Sequence, residues 1–204
     1  MIEIVDYGAG NLRSVLKGVE ASGGEARLCD DPSRIAQADG VIFPGQGSFA
    51  TASERLREQG FVEPLRRYLE ADRPFLGICL GLQLLFEASE EAPGARGLGI
   101  LKGANVRFAP GKKVPHMGWN TVDWRKESPF FRGMPEESFF YFVHSYFPAP
   151  EDPEVIAGLT DYEQTFCSAV QQGNFAAVQF HPEKSQQLGL RLLRNFIELC
   201  DRFD

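Results

Sequence analysis

The sequence predicts an α/β fold, with one domain over residues 1–204 and a mixed, mostly parallel central sheet flanked by helices. In the first half, short apolar segments alternate with segments of helical periodicity, which is the βαβα pattern of parallel sheets. In the second half, strand-like segments follow one another between turns rich in Pro, Gly and Asp, which predicts extra antiparallel strands. The chain has 204 residues, 43% of them hydrophobic, and no linker or repeat divides it, so one full core is expected.

The first half contains the segments from which the parallel sheet is predicted. Apolar runs predict strands at residues 2–5, 41–43 and 75–78. Apolar residues at helical spacing predict a helix over 12–19, a helical region over 56–69, and a further helix directly after the third strand. Ligands of such sheets bind at the carboxyl ends of the strands, so the residues that follow the second and third strands are expected to meet in one crevice.

The second half is richer in strand signals, and some of these strands are expected to pair antiparallel. The predicted strands lie at residues 105–108, 121–124, 139–143, 155–159, 166–170 and 176–180. A final helix is predicted after Ser185, a residue type that favours helix N-caps, with an apolar stripe that reaches Phe203.

A cysteine stands where the third strand ends, in the pentapeptide Gly77-Ile78-Cys79-Leu80-Gly81. This is the Gly-x-nucleophile-x-Gly spacing of a nucleophile elbow, in which the glycines leave room for neighbouring backbone. The elbow would place Cys79 at a helix N-terminus, where the positive end of the helix dipole favours the reactive thiolate. A lone cysteine in an apolar junction is more often structural, but the strand before it, the helix after it and both glycines favour a nucleophile.

A cysteine nucleophile needs a base and a group that orients the base. His181 stands at the end of an apolar strand, in Phe180-His181-Pro182-Glu183. In extended backbone, Glu183 would project to the same side as His181 and hold its imidazole in one tautomer. Either residue alone is compatible with a surface histidine or a helix-end carboxylate. Together with Cys79, they predict a catalytic Cys-His-Glu set.

Acyl chemistry also needs N–H donors for a developing oxyanion. The backbone N–H of Leu80 is the usual first donor of an elbow. The turn that contains Gly45 and Gly47 is the candidate for the second, because glycine lets a peptide turn its amide toward the site. An ordinary strand-end turn is the competing interpretation. The glycine-rich segment at residues 7–12 has the position of a dinucleotide fingerprint, but Arg13 replaces its third glycine, so dinucleotide binding is not favoured.

Composition argues against several classes of protein. The net charge is −7 without a Lys- or Arg-rich run to offset it, which argues against nucleic acid as a partner. The four cysteines lack C-x-x-C spacing, so we expect no metal site, and no cofactor is implied. The N-terminus has no signal-peptide pattern and no apolar run reaches membrane-spanning length. With a free catalytic thiol, these features predict a cytoplasmic protein that does not engage a membrane.

Taken together, the motifs resemble the class I glutamine amidotransferase family. Three blocks carry the resemblance in the family's order and span most of the chain: residues 44–47, 77–83 and 180–183. Further segments are similar to those of glutaminase subunits of imidazole glycerol phosphate synthases. These segments are residues 6–12, 115–120 and 142–146, and the Lys184 that follows Glu183.

The resemblance implies a subunit that hydrolyses glutamine. Cys79 would attack the side-chain amide, and His181, oriented by Glu183, would move the protons. The N–H of Leu80 and an amide of the segment 45–47 would hold the oxyanion. The residues implied to hold the amino-acid end of glutamine are Gln83, Ser145 and Tyr146.

The resemblance also implies a partner. Ammonia would pass to a (β/α)8-barrel cyclase subunit, which makes imidazole glycerol phosphate and an aminoimidazole ribotide. Because free ammonia production would waste glutamine, the chain alone is expected to be a weak glutaminase that the liganded partner activates. The residues implied to face the partner or the ammonia path are Asn11, Met117, Trp119, Tyr141 and Lys184.

Alternatives remain open at this point. One is the glutaminase subunit of another class I amidotransferase, for example in vitamin B6, folate-related or anthranilate synthesis, although the segment 115–120 argues against it. Another is a stand-alone cysteine hydrolase acting on γ-glutamyl compounds or peptides. A third is a binding module in which Cys79 is incidental. For Met117 and Trp119, packing in the core is the competing interpretation.

Overall fold

The computed structural model describes residues 1–111 and 113–203, and a mixed sheet of nine strands forms the centre of this part of the chain. The strands are β1 (Ile2–Val5), β2 (Ala26–Cys29), β3 (Gly40–Gly45), β4 (Phe75–Cys79), β5 (Phe86–Ser89), β6 (Leu101–Arg107), β7 (His116–Trp124), β8 (Ser138–His144), β9 (Tyr146–Pro150), β10 (Ile156–Asp161), β11 (Thr165–Gln172) and β12 (Phe175–Val178). The α-helices are α1 (Leu12–Ala21), α2 (Phe49–Glu58), α3 (Val62–Glu70), α4 (Leu80–Gln83) and α5 (Gln186–Cys200). Short 3-10 helices lie at Pro32–Gln37, Pro129–Phe131, Pro153–Val155 and Pro182–Lys184.

The central sheet has a parallel half and an antiparallel half. Its strand order is β2-β1-β3-β4-β12-β11-β10-β7-β8. Neighbours from β2 to β12 pair parallel, and neighbours from β12 to β8 pair antiparallel. Strands β5, β6 and β9 pair in a small separate sheet. The predicted class, α/β with a mixed sheet and antiparallel strands in the second half, is confirmed.

Helices bury both faces of the sheet. On one face, Val15 of α1 and Phe196 of α5 belong to the same buried cluster as Ile42 of β3. On the other face, Leu56 of α2 is in a second buried cluster with Phe43. The loops that converge at the carboxyl ends of β3 and β4 are therefore free to build a site, as expected for an open α/β sheet. No helix in the described ranges has the length and apolar character needed to cross a bilayer.

The helical region predicted over 56–69 is in fact two helices. Helix α2 ends in a left-handed turn at Gly60, whose φ is +76°. The N–H of Gly60 donates to the Arg57 carbonyl at 3.2 Å, and the N–H of Phe61 donates to the Leu56 carbonyl at 2.9 Å. This is a Schellman ending, which satisfies the last carbonyls of α2 and redirects the chain into α3.

The helix predicted after the elbow is present, but it is only a single turn, α4. The carbonyl of Leu84 accepts from the N–H of Leu98 at 2.7 Å, and that of Leu85 accepts from the N–H of Ile100 at 2.9 Å. Carbonyls that would continue the helix are thus used by a distant segment, and the chain turns into β5. Since this pairing is long-range, local periodicity does not reveal it.

Strands β2, β5 and β9 were not predicted. All three lie at sheet edges, and the sequences of β2 and β9 hide the strand signal. Strand β2 carries Arg27, which pairs with the buried carboxylate of Glu3 at 2.7 Å from Nε to Oε1. Strand β9 contains two prolines. Charged residues and prolines are typical of edge strands, where they block further pairing, and they interrupt the apolar alternation.

We expect Gly81→Ala to destabilise the chain strongly. A Cβ at this position would lie 1.8 Å from the carbonyl oxygen of Phe43, which belongs to a central strand and cannot move freely. Overpacking of this kind costs about 3 kcal/mol of unfolding free energy. The matched control is Gly94→Ala, which has φ +97° but nothing within 4 Å of the added Cβ and should lose about 1 kcal/mol. Urea unfolding measures both, and equal losses would contradict the close contact.

Candidate active site

Cys79 is the last residue of β4 and sits on a strained turn. Its φ is +55° and its ψ −110°, a combination outside the left-handed helical region that residues with a side chain rarely adopt. Strain of this kind persists only where the surroundings enforce it, and it concentrates at functional sites. The glycines at both ends of the elbow allow this packing, because a Cβ at Gly77 would lie 2.7 Å from the Cβ of Ala177. The predicted elbow geometry is therefore present, although only one helical turn follows it.

His181 and Glu183 lie together beyond the end of β12. The Nδ1 atom of His181 is 2.8 Å from Oε1 of Glu183, and both side chains are almost completely buried. The expected reason for this contact is wrong, because Pro182–Lys184 forms a 3-10 helix and not extended backbone. The turn folds the carboxylate back onto the ring, so the pair forms through the turn. Ser185 occupies the N-cap position of α5, as the sequence predicts, but its side chain makes no capping hydrogen bond. Its hydroxyl donates to the His181 carbonyl at 2.6 Å.

The charges at the site favour an ion pair between sulfur and imidazole. Burial alone lowers the pKa of His181, but the neighbouring Cys79 and the Glu183 carboxylate outweigh it and raise this pKa to about 10. An imidazolium beside a cysteine stabilises the thiolate. Helix α4 has only four residues, so the helix dipole expected at Cys79 is small. The amide Nε2 of Gln179 donates to the sulfur of Cys79 at 3.7 Å.

The segment proposed for the oxyanion runs directly beside the elbow. Gly45, at the end of β3, pairs with Cys79 in the parallel ladder. Gln46 and Gly47 leave the strand and are exposed, and Gly47 has φ +95°. Leu80 opens α4 immediately after Cys79. The structure therefore places both candidate oxyanion segments next to the backbone of Cys79.

A cavity of about 490 Å³ opens at this edge of the sheet. It brings together most of the residues that the sequence assigned to chemistry and substrate binding. Those in its lining are Gly47, Cys79, Leu80, Gln83, Ser145, Tyr146, His181 and Lys184. Gly45 is buried in β3, and Glu183 is buried behind His181. The volume suits a ligand the size of an amino acid.

Sequence reasoning missed two residues of the site, Glu91 and Gln179. Glu91 lines the cavity and accepts from the N–H of Phe49, at the start of α2, at 2.8 Å. Gln179 is fully buried, and its Oε1 accepts from Nε2 of Gln83 at 3.1 Å. Gln179 stands two residues before His181 on an apolar strand, and a polar side chain in such a run is a signal that was available. Glu91 has no comparable signal, because it lies among other acidic residues.

A pair of buried histidines lies at one side of the site, where His144 lines the cavity. Nδ1 of His116 lies 3.0 Å from Nε2 of His144, whose Nδ1 lies 2.8 Å from the Tyr146 carbonyl. Burial lowers the pKa of His116 to about 4 and that of His144 to about 3, so both rings are neutral. The carbonyl can only accept, so His144 donates to it and His116 donates to His144. Nδ2 of Asn120, 3.3 Å from Nε2 of His116, is the donor at the other end.

The hairpin of β7 and β8 exposes large apolar side chains beside the cavity. Met117 is 61% exposed and Trp119 is 47% exposed, which excludes the alternative that either packs in the core. Trp119 contacts Tyr141 edge-on, and Nζ of Lys184 lies 5.8 Å from the centre of the Tyr141 ring. Phe139, also exposed, extends this surface and was not predicted.

Asn11 precedes α1, at the same edge of the sheet. Gly10 beside it packs toward Gly45, since a Cβ there would lie 3.8 Å from the Gly45 Cα. The five residues assigned to a partner-facing side therefore lie on segments around the mouth of the cavity.

Sequence comparisons agree with this geometry. A model of the family described as Glutamine amidotransferase class-I matches residues 3–199. The protein named Imidazole glycerol phosphate synthase subunit HisH of Syntrophotalea carbinolica is 54% identical over 204 residues, with 96% of this chain and 98% of that protein covered. The protein of the same name from Aquifex aeolicus is 50% identical, with 95% of this chain and 94% of that protein covered.

Solved structures show the same fold at lower identity. A crystal structure of a glutamine amidotransferase superposes with a TM-score of 0.77 at 22% identity, covering 98% of both chains. A chain in the structure of PurLQS from Thermotoga maritima superposes with a TM-score of 0.76 at 18% identity, covering 97% of both chains. At these identities the likeness speaks for the fold alone.

We expect iodoacetamide to alkylate Cys79 ahead of the other cysteines near neutral pH. Burial raises the pKa of Cys29 to about 11 and the pKa values of Cys167 and Cys200 to about 12, so these three remain thiols. In the variant His181→Ala the Cys79 rate should fall at least about ten-fold, since the imidazolium is lost. Mass spectrometry of digested protein measures each site. Equal labelling of Cys29, or an unchanged rate in the variant, would contradict the thiolate–imidazolium pair.

Proposed function

The chain belongs to the class I glutamine amidotransferase family, and we propose that it is the glutaminase subunit of an imidazole glycerol phosphate synthase. The observation that carries the proposal is the buried arrangement of Cys79, His181 and Glu183 at the cavity, with the oxyanion segment at its side. The relatives that are about half identical over nearly the full length carry that synthase's name. The reaction is hydrolysis of glutamine to glutamate and ammonia.

The first half-reaction forms a thioester. The thiolate of Cys79 attacks the side-chain amide carbon of glutamine, and the carbonyl oxygen becomes an oxyanion. The N–H of Leu80 and an amide of the segment 45–47 donate to it, which is the largest expected contribution to the rate. His181 gives its proton to the departing nitrogen, and ammonia leaves. Glu183 holds the ring in the required tautomer throughout.

The second half-reaction releases glutamate. His181, now neutral, takes a proton from water, and the hydroxide attacks the thioester carbon. The tetrahedral intermediate collapses with the sulfur of Cys79 as the leaving group, and the thiolate–imidazolium pair is restored. The raised pKa of His181 suits its role as proton donor, and the neighbouring sulfur must lose its charge before the ring can act as a base.

Residues around the cavity suit the amino-acid end of glutamine. Glu91 is the carboxylate in its lining, and it would pair with the substrate's α-ammonium group. Ser145 and Tyr146 also line the cavity, together with Gln83, whose Nε2 donates to the Tyr146 carbonyl at 2.9 Å. Because that contact ties helix α4 to strand β9, it holds the binding wall at a constant distance from Cys79.

The partner we propose is a (β/α)8-barrel cyclase subunit that docks on the exposed side chains of the β7–β8 hairpin. Exposed apolar patches beside a site are typical of protein interfaces. Lys184 lines the cavity while its ammonium lies over Tyr141, so the docking surface and the catalytic cavity share residues. Ammonia would leave on this side for the cyclase, which makes imidazole glycerol phosphate and aminoimidazole carboxamide ribotide.

The proposed docking surface is also hydrogen-bonded directly to the catalytic histidine. The N–H of His181 donates to the Tyr141 carbonyl at 2.9 Å, and Oγ of Ser185 accepts from the N–H of Tyr141 at 3.0 Å. A shift of β8 on docking would therefore move the catalytic histidine. This supports a glutaminase that is weak alone and is activated by its partner. We place the complex in the cytoplasm, where the free cysteines of the chain stay reduced.

We expect Cys79→Ala to abolish glutamine-dependent synthesis by the complex while ammonia-dependent synthesis remains within about two-fold of wild type. The thiol is needed only to release ammonia, and the cyclase does not use it. Product formation with each nitrogen source measures the two activities.

The matched control for this test is Cys29→Ala, which removes a buried thiol outside the cavity and should retain both activities. Loss of both activities in Cys79→Ala would contradict the assigned role. Full glutamine-dependent synthesis in that variant would contradict it equally.

We expect Trp119→Ala to weaken binding of the cyclase partner at least ten-fold, a loss of about 1.4 kcal/mol. The side chain is 47% exposed, so the melting temperature of the free chain should barely change. Titration calorimetry measures the affinity, and glutamate release measures activation. Unchanged affinity would move the docking surface elsewhere. Full glutaminase turnover by the chain alone would contradict activation by the partner.

A further inference from the structure

The hydroxyl of Tyr7 is buried and has no hydrogen-bond partner among the described residues. A buried hydroxyl without a partner costs about 1–3 kcal/mol, and native proteins rarely keep one without a functional reason. Tyr7 belongs to the glycine-rich segment after β1 that resembles a dinucleotide fingerprint, and the proposed reaction assigns this residue no role.

The hydroxyl lies against the proposed oxyanion segment. A Cβ at Gly45 would lie 2.4 Å from the Tyr7 hydroxyl oxygen and 2.9 Å from the Cβ of Leu80. The hydroxyl is therefore wedged beside the Gly45 Cα, next to both candidate oxyanion donors. Position 45 has to be glycine for this packing, since any side chain would occupy the place of the hydroxyl.

The hydroxyl keeps its proton and its position. Burial, and the charge of the nearby Cys79, raise the pKa of Tyr7, so it stays a neutral donor. The Tyr7 carbonyl accepts from Nε2 of Gln59 at 3.2 Å, and the carbonyl of Gly8 accepts from Arg55. The side chains of Arg55 in α2 and of Gln59, the residue directly after that helix, thus anchor the backbone around Tyr7.

The potential acceptor lies where the backbone leaves the sheet. Gly45 is the last residue of β3, so the peptide that joins it to Gln46 is the first one outside the ladder. Gln46 and Gly47 are exposed. Rotation of this peptide exchanges the directions of its carbonyl and N–H, and glycine on one side lowers the steric cost.

We propose that Tyr7 is a positioning residue for the oxyanion segment, an inference that rests on the proposed function. Its hydroxyl donates to the Gly45 carbonyl when the Gly45–Gln46 peptide turns the Gln46 N–H toward the reacting carbon above Cys79. Tyr7 touches neither substrate nor sulfur and acts through the peptide. The unpaired hydroxyl raises the free energy of the arrangement described here and favours the rotated one.

The test is Tyr7→Phe, assayed in the complex with the cyclase partner. The turnover number for glutamine should fall about ten-fold, the value of one hydrogen bond at the upper end of its usual range. The KM for glutamine should stay unchanged, because the pocket is intact. The alkylation rate of Cys79 should also stay unchanged, because the variant leaves the geometry of the elbow unchanged. The melting temperature of the free chain should stay the same or rise, since the unpaired hydroxyl is gone.

The matched control is Tyr68→Phe. Tyr68 is equally buried, but its hydroxyl lies 3.2 Å from the carbonyl oxygens of both Ala38 and Pro74. This variant should lower the melting temperature and keep the turnover number. A merely structural role for Tyr7 would make the two variants behave alike, with lowered stability and normal turnover, and would overturn the proposal.

The remaining outcomes separate this proposal from the proposed function. If the wild-type complex hydrolyses glutamine and the Tyr7→Phe complex does so equally fast, the role of Tyr7 is overturned and the glutaminase assignment stands. Slower alkylation of Cys79 in Tyr7→Phe would show that the hydroxyl acts on the thiol, which also overturns the proposal. A wild-type complex that hydrolyses no glutamine overturns both.

Discussion

The close contact between strand β3 and the elbow at Cys79 is the constraint on which the rest of the site depends. A Cβ at Gly81 would overlap the carbonyl of Phe43, so the two backbones touch. That contact holds Cys79 at φ +55° and sets Gly45 beside it in the ladder. Because the nucleophile and the oxyanion segment share one rigid junction, their relative position does not depend on flexible side chains.

Burial and neighbouring charged groups together decide the protonation of the three histidines. His181 would lose its proton in an apolar site, yet the neighbouring Cys79 and Glu183 raise its pKa to about 10. The same burial keeps His116 and His144 neutral, because neither faces a carboxylate. One histidine is thus an acid beside the thiol, and two serve as uncharged hydrogen-bond links. All three residues are histidines, so the difference in their protonation comes from their surroundings.

Hydrogen bonds connect the surface hairpin with the catalytic residues by two routes. One runs from Asn120 through the histidine pair to the Tyr146 carbonyl, then to Gln83, Gln179 and the sulfur of Cys79. The other joins the backbone of Tyr141 to that of His181. Hydrogen bonds in a low-dielectric interior are electrostatically stronger than in water. A partner seated on the hairpin therefore has a physical means of adjusting the catalytic groups, as the proposed activation requires.

The sequence by itself determined the fold class and the candidates Cys79, His181 and Glu183, because apolar periodicity, the elbow glycines and strand-end residues are local patterns. Only the tertiary structure decided that α4 stops after one turn, that Glu183 reaches His181 through a 3-10 turn, and that Glu91 and Gln179 join the site. It also decided that the hydroxyl of Tyr7 is left without a partner. For α4, Glu91, Gln179 and Tyr7, the physical reason is that these features depend on contacts between residues far apart in the chain, which local patterns do not encode.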